Sequence, residues 1–224
     1  MTRVSVAVAV RDVAPYLGEA LDSVLSQVGP DDEVIVVDDG SSDETPDLVA
    51  AYGDRLTFLR QAALGLSFAR NLSLDHCRGE LIGFIDGDDR WAPGALDRLV
   101  AALDEHPEAN GAMGRTDEFL DPRLSDAASA GLREPEHDVV GYFLGAMLLR
   151  RSVTDAVRFD TDQPLAITTD WFSRAREHGL RLHQLDDITL ERRLRADSMT
   201  TDSAAYQGAL LRSLRANLAR ARDQ

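Results

Sequence analysis

Apolar positions along the chain recur with two periods. Val4 to Val10 is a β-branched run with little alternation, which predicts a strand covered on both faces, as in a parallel sheet. Leu17, Ala20, Leu21, Val24 and Leu25 follow at helical spacing after Pro15. Gly29-Pro30 stops that helix before a second buried strand, Glu33 to Val37. The unit then repeats. A helix is predicted over Thr45 to Tyr52, a strand over Leu56 to Leu59, a helix over Ser67 to His76, a strand over Leu81 to Ile85 and a helix over Pro93 to His106. Such alternation predicts an α/β fold with right-handed crossovers, a mostly parallel central sheet flanked by helices, and ligands at the carboxyl ends of the strands.

From 121 to 138 the pattern breaks into Asp, Ala, Ser, Gly, Pro and Glu, which reads as a mobile loop between two halves of one domain. An apolar run, Tyr142 to Leu149, follows, then a helix from Asp170 to His178 and two short strands near Leu182 to Leu185 and Ile188 to Leu194. In the last segment, Ser203 to Arg222, one helical face carries Leu210, Leu211, Leu214 and Leu218, with Arg212, Arg215 and Arg222 mostly elsewhere. That is a packed C-terminal helix or, alternatively, a surface for peripheral contact with anionic lipid or for self-association through 203–222. The expected organisation is two halves of one domain, 1–120 and 121–202, with an amphipathic helix at 203–224.

Composition narrows the chemistry. All 24 basic residues among the 224 are Arg. Without lysine there is no P-loop cation, no Schiff base and no lysine-assisted phosphatase site. A formal charge of -15 and a pI near 4.6 argue against a nucleic-acid partner. Residues 1–120 hold 9 Arg against 23 acids, a net of -14, so an anionic ligand there would want a cation. The single Cys77 excludes an internal disulfide and reads as a core thiol. The chain opens on its first strand rather than on a signal peptide, and no stretch approaches a membrane span. A cytoplasmic location is expected, with any membrane contact peripheral at the inner face.

The strongest local signal is Ile82-Gly83-Phe84-Ile85-Asp86-Gly87-Asp88-Asp89, a buried strand ending in three carboxylates within four positions. Carboxylates this close repel unless a cation or hydrogen-bond donors hold them charged, and hard oxygen ligands suit Mn²⁺ or Mg²⁺. The plainer alternative is an acidic turn capping the next helix. A second strand, Val34-Ile35-Val36-Val37, runs into Asp38-Asp39-Gly40-Ser41-Ser42-Asp43. Acidic groups at such an edge accept hydrogen bonds from ribose hydroxyls or a pyrimidine N–H, or cap the helix near Thr45. Both roles are expected, split between Asp39 and Asp43.

Four segments in order carry a resemblance: Val4-Ser5-Val6 to Leu25-Ser26-Gln27, Val36-Val37-Asp38-Asp39-Gly40-Ser41-Ser42-Asp43, Gly65-Leu66-Ser67-Phe68-Ala69-Arg70-Asn71, and Gly79-Glu80 to Asp86-Gly87-Asp88-Asp89. Together they resemble the family 2 glycosyltransferases of GT-A fold. The likeness extends more weakly through Gly145 to Arg151, Thr169-Asp170-Trp171 and Arg193 to Thr200, covering about residues 3 to 200.

The resemblance implies a Rossmann-like GT-A sheet and transfer of a sugar, with inversion, from a nucleotide-diphosphate donor of UDP or dTDP type rather than GDP. The acceptor stays unknown. Asp39 would hold the base beside Val10, Arg70 would lie near the base or the diphosphate, Asp86 would meet the ribose, and Asp88 would hold the metal with Asp86 and Asp89 assisting. Asp170 matches the general base. Three departures stand out. The chain reads Ala9-Val10-Arg11-Asp12 after its first strand, Thr169 replaces the usual Glu before Asp170, and Arg195 stands where relatives often carry His. Arg195 cannot ligate metal but can bind phosphate through two N–H groups, so partial substitution for metal charge is open. Trp91 and Trp171 border the acidic motifs as sugar platforms or as packing, and the five histidines show no ligand spacing. The rival readings are a noncatalytic nucleotide-sugar-binding protein and, with less support from the first loop, a sugar nucleotidyltransferase.

Overall fold

Strand β1, Val4–Val10, is buried at every position in the computed structural model, which describes residues 3–125, 129, 131–162 and 165–196. After β1 come α1 (Ala14–Leu25), β2 (Glu33–Asp38), α2 (Thr45–Ala50), β3 (Thr57–Arg60), α3 (Leu66–His76), β4 (Leu81–Asp86), β5 (Arg90–Trp91) and α4 (Ala95–Glu105). The second half supplies β6 (Gly111–Leu120), β7 (Met147–Arg150), α5 (Arg151–Ala156), α6 (Ile167–Glu177) and β8 (Leu182–Leu194).

One eight-stranded sheet runs β3-β2-β1-β4-β7-β6-β8-β5. Strands β1 to β4 pair in parallel, as do β6 and β8, while β7 and β5 run antiparallel to their neighbours. The apolar run of β1 lacks alternation because both faces are covered. Val6, Val8 and Val10 pack with Leu17 and Leu21 of α1 and Leu99 and Leu103 of α4. Ala7 and Ala9 face Ala69 and Leu74 of α3 and Trp171 of α6. Cys77 is in this second core, and burial pushes its thiol up to about 12.

Register sets up the site. Val10 of β1 pairs with Asp38 of β2, and Ala9 pairs with Asp86 of β4. The carboxyl ends of three parallel strands therefore finish level, and each delivers its following loop to the same edge.

The second half departs from the sequence pattern. Strand β6, with no predicted counterpart, lies between β7 and β8. The two short strands expected at 182–185 and 188–194 are one strand, because Asp186 and Asp187 sit in a bulge, with register shifts between Met113 and Thr116 of its partner. At the end of the 121–138 segment the Glu118 N–H donates to the Glu136 carbonyl, and just beyond it Thr116 and Val139 exchange backbone hydrogen bonds, which ties that end to β6. The helix expected at 203–224 lies outside the described residues. Among the described residues no helix is long and apolar enough to cross a membrane.

Candidate active site

Asp38 and Asp39, adjacent at the end of β2, face different environments because successive residues of an extended chain point oppositely. Asp38 is fully buried. Its Oδ1 accepts the Ser41 N–H at 3.0 Å and the Ser41 hydroxyl, and its Oδ2 lies 3.0 Å from Arg60 Nε. Asp39 lines a cleft of about 430 Å³. It accepts from Gln61 Nε2 at 2.7 Å, Leu64 N at 2.8 Å and Gly65 N at 2.9 Å, with Arg11 Nη1 at 3.9 Å. Gly40 makes this possible: its φ is +73°, and a Cβ there would stand 2.7 Å from the backbone nitrogen of Ala63. Asp43 takes the helix-start role, its two oxygens accepting Thr45 N and Ala14 N at 3.0 Å each.

The acidic turn after β4 forms the next wall. Asp86 is half exposed and pairs at 2.8 Å with Arg70 Nη2, whose side chain is buried; Arg70 Nη1 also reaches Thr168 Oγ1 at 3.4 Å. Arg195 Nε lies 2.8 Å from Asp88 Oδ2. Asp89 Oδ1 accepts the Arg193 N–H at 2.8 Å, tying the turn to β8. Burial, then the neighbouring Asp86 charge, raise the Asp88 carboxyl against the pull of Arg195. Burial together with Asp88 and Asp86 lifts Asp89 well above the usual carboxylate range.

Val10, Asp39, Arg70, Asp86, Asp88, Asp89 and Arg195 all line this one cleft. Asp170 does not. It is buried in the first turn of α6, paired at 2.8 Å with Arg174, while Ile167 and Thr168 of the same turn border the cleft. Trp91 and Trp171 are packing residues: both are buried, and their indole N–H groups donate to Gly145 O and Val157 O.

Sequence reasoning singled out Arg195 but gave no role to its neighbours Arg192 and Arg193 at the end of β8. Arg193 donates to Glu19 and to the Asp88 carbonyl, and the Tyr16 ring has the guanidinium carbons of Arg123, Arg193 and Arg195 at 4.2, 5.3 and 5.0 Å. The signal was present as Arg192-Arg193-Leu194-Arg195, which in a strand puts Arg193 and Arg195 on one face. Arg11 and Arg192 also line the cleft. An acidic chain thus has a cleft edged with cations, suited to an anionic ligand.

Among the described residues no three acidic, His or Cys side chains converge as a ready-made metal cage. The turn offers fewer ligands, Asp88 with Asp86, and their hard carboxylate oxygens are the type that Mg²⁺ or Mn²⁺ takes beside water and phosphate. The burial and mutual repulsion that raise Asp88 are the setting a cation relieves. These carboxylates fit a divalent ion that takes its remaining ligands from outside the protein.

The architecture resembles solved structures of S. aureus TarS. With TarS 1-349 in complex with UDP the TM-score is 0.70 at 22% identity, covering 86% of this chain and 60% of that one. With the UDP-GlcNAc complex it is 0.71 at 23% identity, covering 89% and 61%. In sequence, the putative glycosyltransferase EpsH of Bacillus subtilis (strain 168) is 31% identical over 191 residues, 78% of this chain and 55% of EpsH. The uncharacterized glycosyltransferase EpsJ of the same organism is 36% identical over 106 residues, 46% of this chain and 31% of EpsJ. The chain thus spans about a third to about half of the length of these relatives. Residues 5–158 match the model of glycosyl transferase family 2, and they include both acidic strand ends and the Arg70 helix; the chain belongs to that family.

Proposed function

We propose that the protein moves a sugar from a nucleotide-diphosphate donor, of UDP or dTDP type, to an acceptor hydroxyl with inversion at the anomeric carbon. The observation that carries this reading is the cleft at the level ends of β1, β2 and β4, which is lined by both carboxylates and arginines. Asp39, beside Val10, accepts a pyrimidine N–H. Asp86 meets the ribose hydroxyls. Arg70 and Arg195 face the diphosphate, where a guanidinium offers paired donors to phosphate oxygens. That TarS is solved with UDP and with UDP-GlcNAc favours a uridine donor.

Asp88, assisted by Asp86 and Asp89, would hold Mn²⁺ or Mg²⁺, which supplies positive charge to the leaving nucleoside diphosphate. Asp170 takes the proton of the acceptor hydroxyl as its oxygen attacks the face of the sugar opposite the departing phosphate, so configuration inverts. This role requires the first turn of α6 to present Asp170 to the acceptor beside the cleft that Thr168 borders. Residues 1–120 form the donor half and 121–202 the acceptor half, and 203–222 supplies any peripheral membrane contact or self-association of a cytoplasmic enzyme.

Thermal-shift screening of nucleotide diphosphates and their sugars with Mn²⁺, followed by a donor-hydrolysis assay, tests the reading. A uridine or thymidine diphosphate is expected to stabilise the fold, and stabilisation by no nucleotide sinks the proposal. Full turnover in chelator sinks the metal. A noncatalytic nucleotide-sugar-binding protein is the second reading, favoured by the place of Asp170 off the cleft lining and in a pair with Arg174. Tight donor binding without transfer or hydrolysis across many acceptors would decide for it.

A further inference from the structure

We infer that Arg195 is a latch on Asp88, keeping divalent metal out of the acidic turn until a nucleotide diphosphate arrives. The inference rests on the glycosyltransferase reading and concerns the order in which the site fills. Arg195 Nε lies 2.8 Å from Asp88 Oδ2, and the two side chains are only 13% and 18% exposed. Asp88 is also the carboxylate proposed above to hold the cation, so guanidinium and metal compete for the same group. Both cannot occupy it, since two positive charges a few ångströms apart in a poorly solvated wall repel strongly.

The Arg195–Asp88 pair borders the cleft, where an entering anion reaches it. Three guanidiniums crowd the ring of Tyr16. Arg123 is tied to Asp121, and Arg193 to Glu19 and to the backbone carbonyl of Asp88. Arg123 does not border the cleft, and Arg193, which does, is held by these contacts. Arg195 pairs with an acid of the cleft wall and itself lines the cleft. A diphosphate entering there gives its guanidinium an anionic partner with oxygens spaced for two N–H groups. Asp88 is then released to the metal, whose remaining ligands include the same diphosphate. Binding of one ligand must therefore favour the other by the same factor.

The test is Mn²⁺ titration of the full chain by electron paramagnetic resonance, without nucleotide, for wild type and Arg195→Gln. The variant is expected to bind Mn²⁺ on the order of tenfold more tightly without nucleotide, and UDP more weakly without metal. Adding Asp88→Asn is expected to abolish the gain. Should Arg195→Gln fail to fold, Arg195→Met, which keeps an apolar stem against Tyr16, carries the same measurement. Unchanged or weaker nucleotide-free Mn²⁺ binding in the folded variant overturns the latch. Calorimetry with UDP on the wild type separates the two ideas. UDP binding with unaltered metal affinity in the variant removes the latch alone, whereas no UDP binding with or without Mn²⁺ removes the functional reading and the latch together.

Discussion

Arg70 Nη2 donates to Asp86 Oδ1 at 2.8 Å, joining a buried cation on α3 to a half-exposed carboxylate at the end of β4. Arg70 also reaches Thr168 on α6 and lies under the ring of Phe159. It therefore sits where three elements enclose the cleft, with its charge directed at the place proposed for the donor.

Replacing it should weaken the donor complex more than the fold. Hydrogen bonds to charged groups contribute about 1.5–3 kcal/mol, so Arg70→Ala is expected to lower UDP affinity roughly 10- to 100-fold by calorimetry. Arg70→Lys is expected to rescue little, because one ammonium cannot replace a fork that reaches two partners. Wild-type affinity in the lysine variant would remove Arg70 from donor binding.

Asp38 and Asp39 should part company under the same chemical change. Asp38→Asn breaks an ion pair whose acid is fully buried but whose partner Arg60 is half exposed. That solvent screening limits the expected loss to about 1–3 kcal/mol in urea unfolding, with UDP affinity per folded molecule little altered. Asp39→Asn keeps an oxygen for the N–H groups of Leu64 and Gly65 but loses the charge facing the cleft, and should mainly weaken UDP. The opposite division of effects would exchange their assignments.

How far these roles can be read from sequence differs between the halves. Strands β1 and β2 are β-branched runs and β4 an apolar one, all buried on both faces, and their burial fixes the level ends that bring Asp39 and Asp86 together. Strand β6 reads Gly-Ala-Met-Gly-Arg-Thr-Asp-Glu-Phe-Leu, with two glycines and two acids, yet it is held in the sheet by β7 and β8. Its conformation comes from neighbours rather than from its own propensity. The pair Asp186-Asp187 looks like a turn but is absorbed as a bulge in β8. The same limit hid Arg193. Nothing local says that a strand 104 residues downstream will return its N–H to Asp89.

Gly87 is a sharper test of the acidic turn. A Cβ there would lie 2.8 Å from Val10 Cγ1 and 2.9 Å from Val13 Cγ2, and β-branched side chains have little room to move. Gly87→Ala is expected to cost about 1–3 kcal/mol in thermal or urea unfolding. Because the turn must shift to relieve the contact, UDP affinity should fall as well. An alanine variant as stable as wild type, with unchanged UDP affinity, would show that the turn does not depend on this close approach.

Glu118 contributes a pH dependence of its own. Burial alone would raise its carboxyl, but Arg133 at 2.6 Å, the Glu136 N–H and Arg192 at 2.8 Å together hold it below its ordinary 4.5. The unfolded chain binds this proton more readily than the folded one. Its stabilising contribution is therefore present above the ordinary value and is lost as pH falls through the lower folded value. Glu118→Gln is expected to cost on the order of 2 kcal/mol at pH 7 and to flatten the fall in stability below pH 4.5. Urea midpoints across that range check it. Parallel acid profiles for the two proteins would assign the acid sensitivity to other groups.

Asp170 decides between turnover and binding alone. A general base contributes typically 10²- to 10⁴-fold to rate, so Asp170→Asn is expected to lower kcat by that order while UDP affinity stays within a few-fold. Its ion pair with Arg174, in the first turn of α6, gives a competing structural explanation for any loss. Arg174→Gln separates them, since it breaks the pair and leaves the carboxylate in place. If the pair is what matters, both variants lose stability and activity together. If Asp170 moves the proton, Arg174→Gln retains most of the rate and Asp170→Asn retains the fold without the transfer. Sugar transfer at wild-type rate in Asp170→Asn would leave the reaction without its proposed base and turn attention to the carboxylates that already line the cleft.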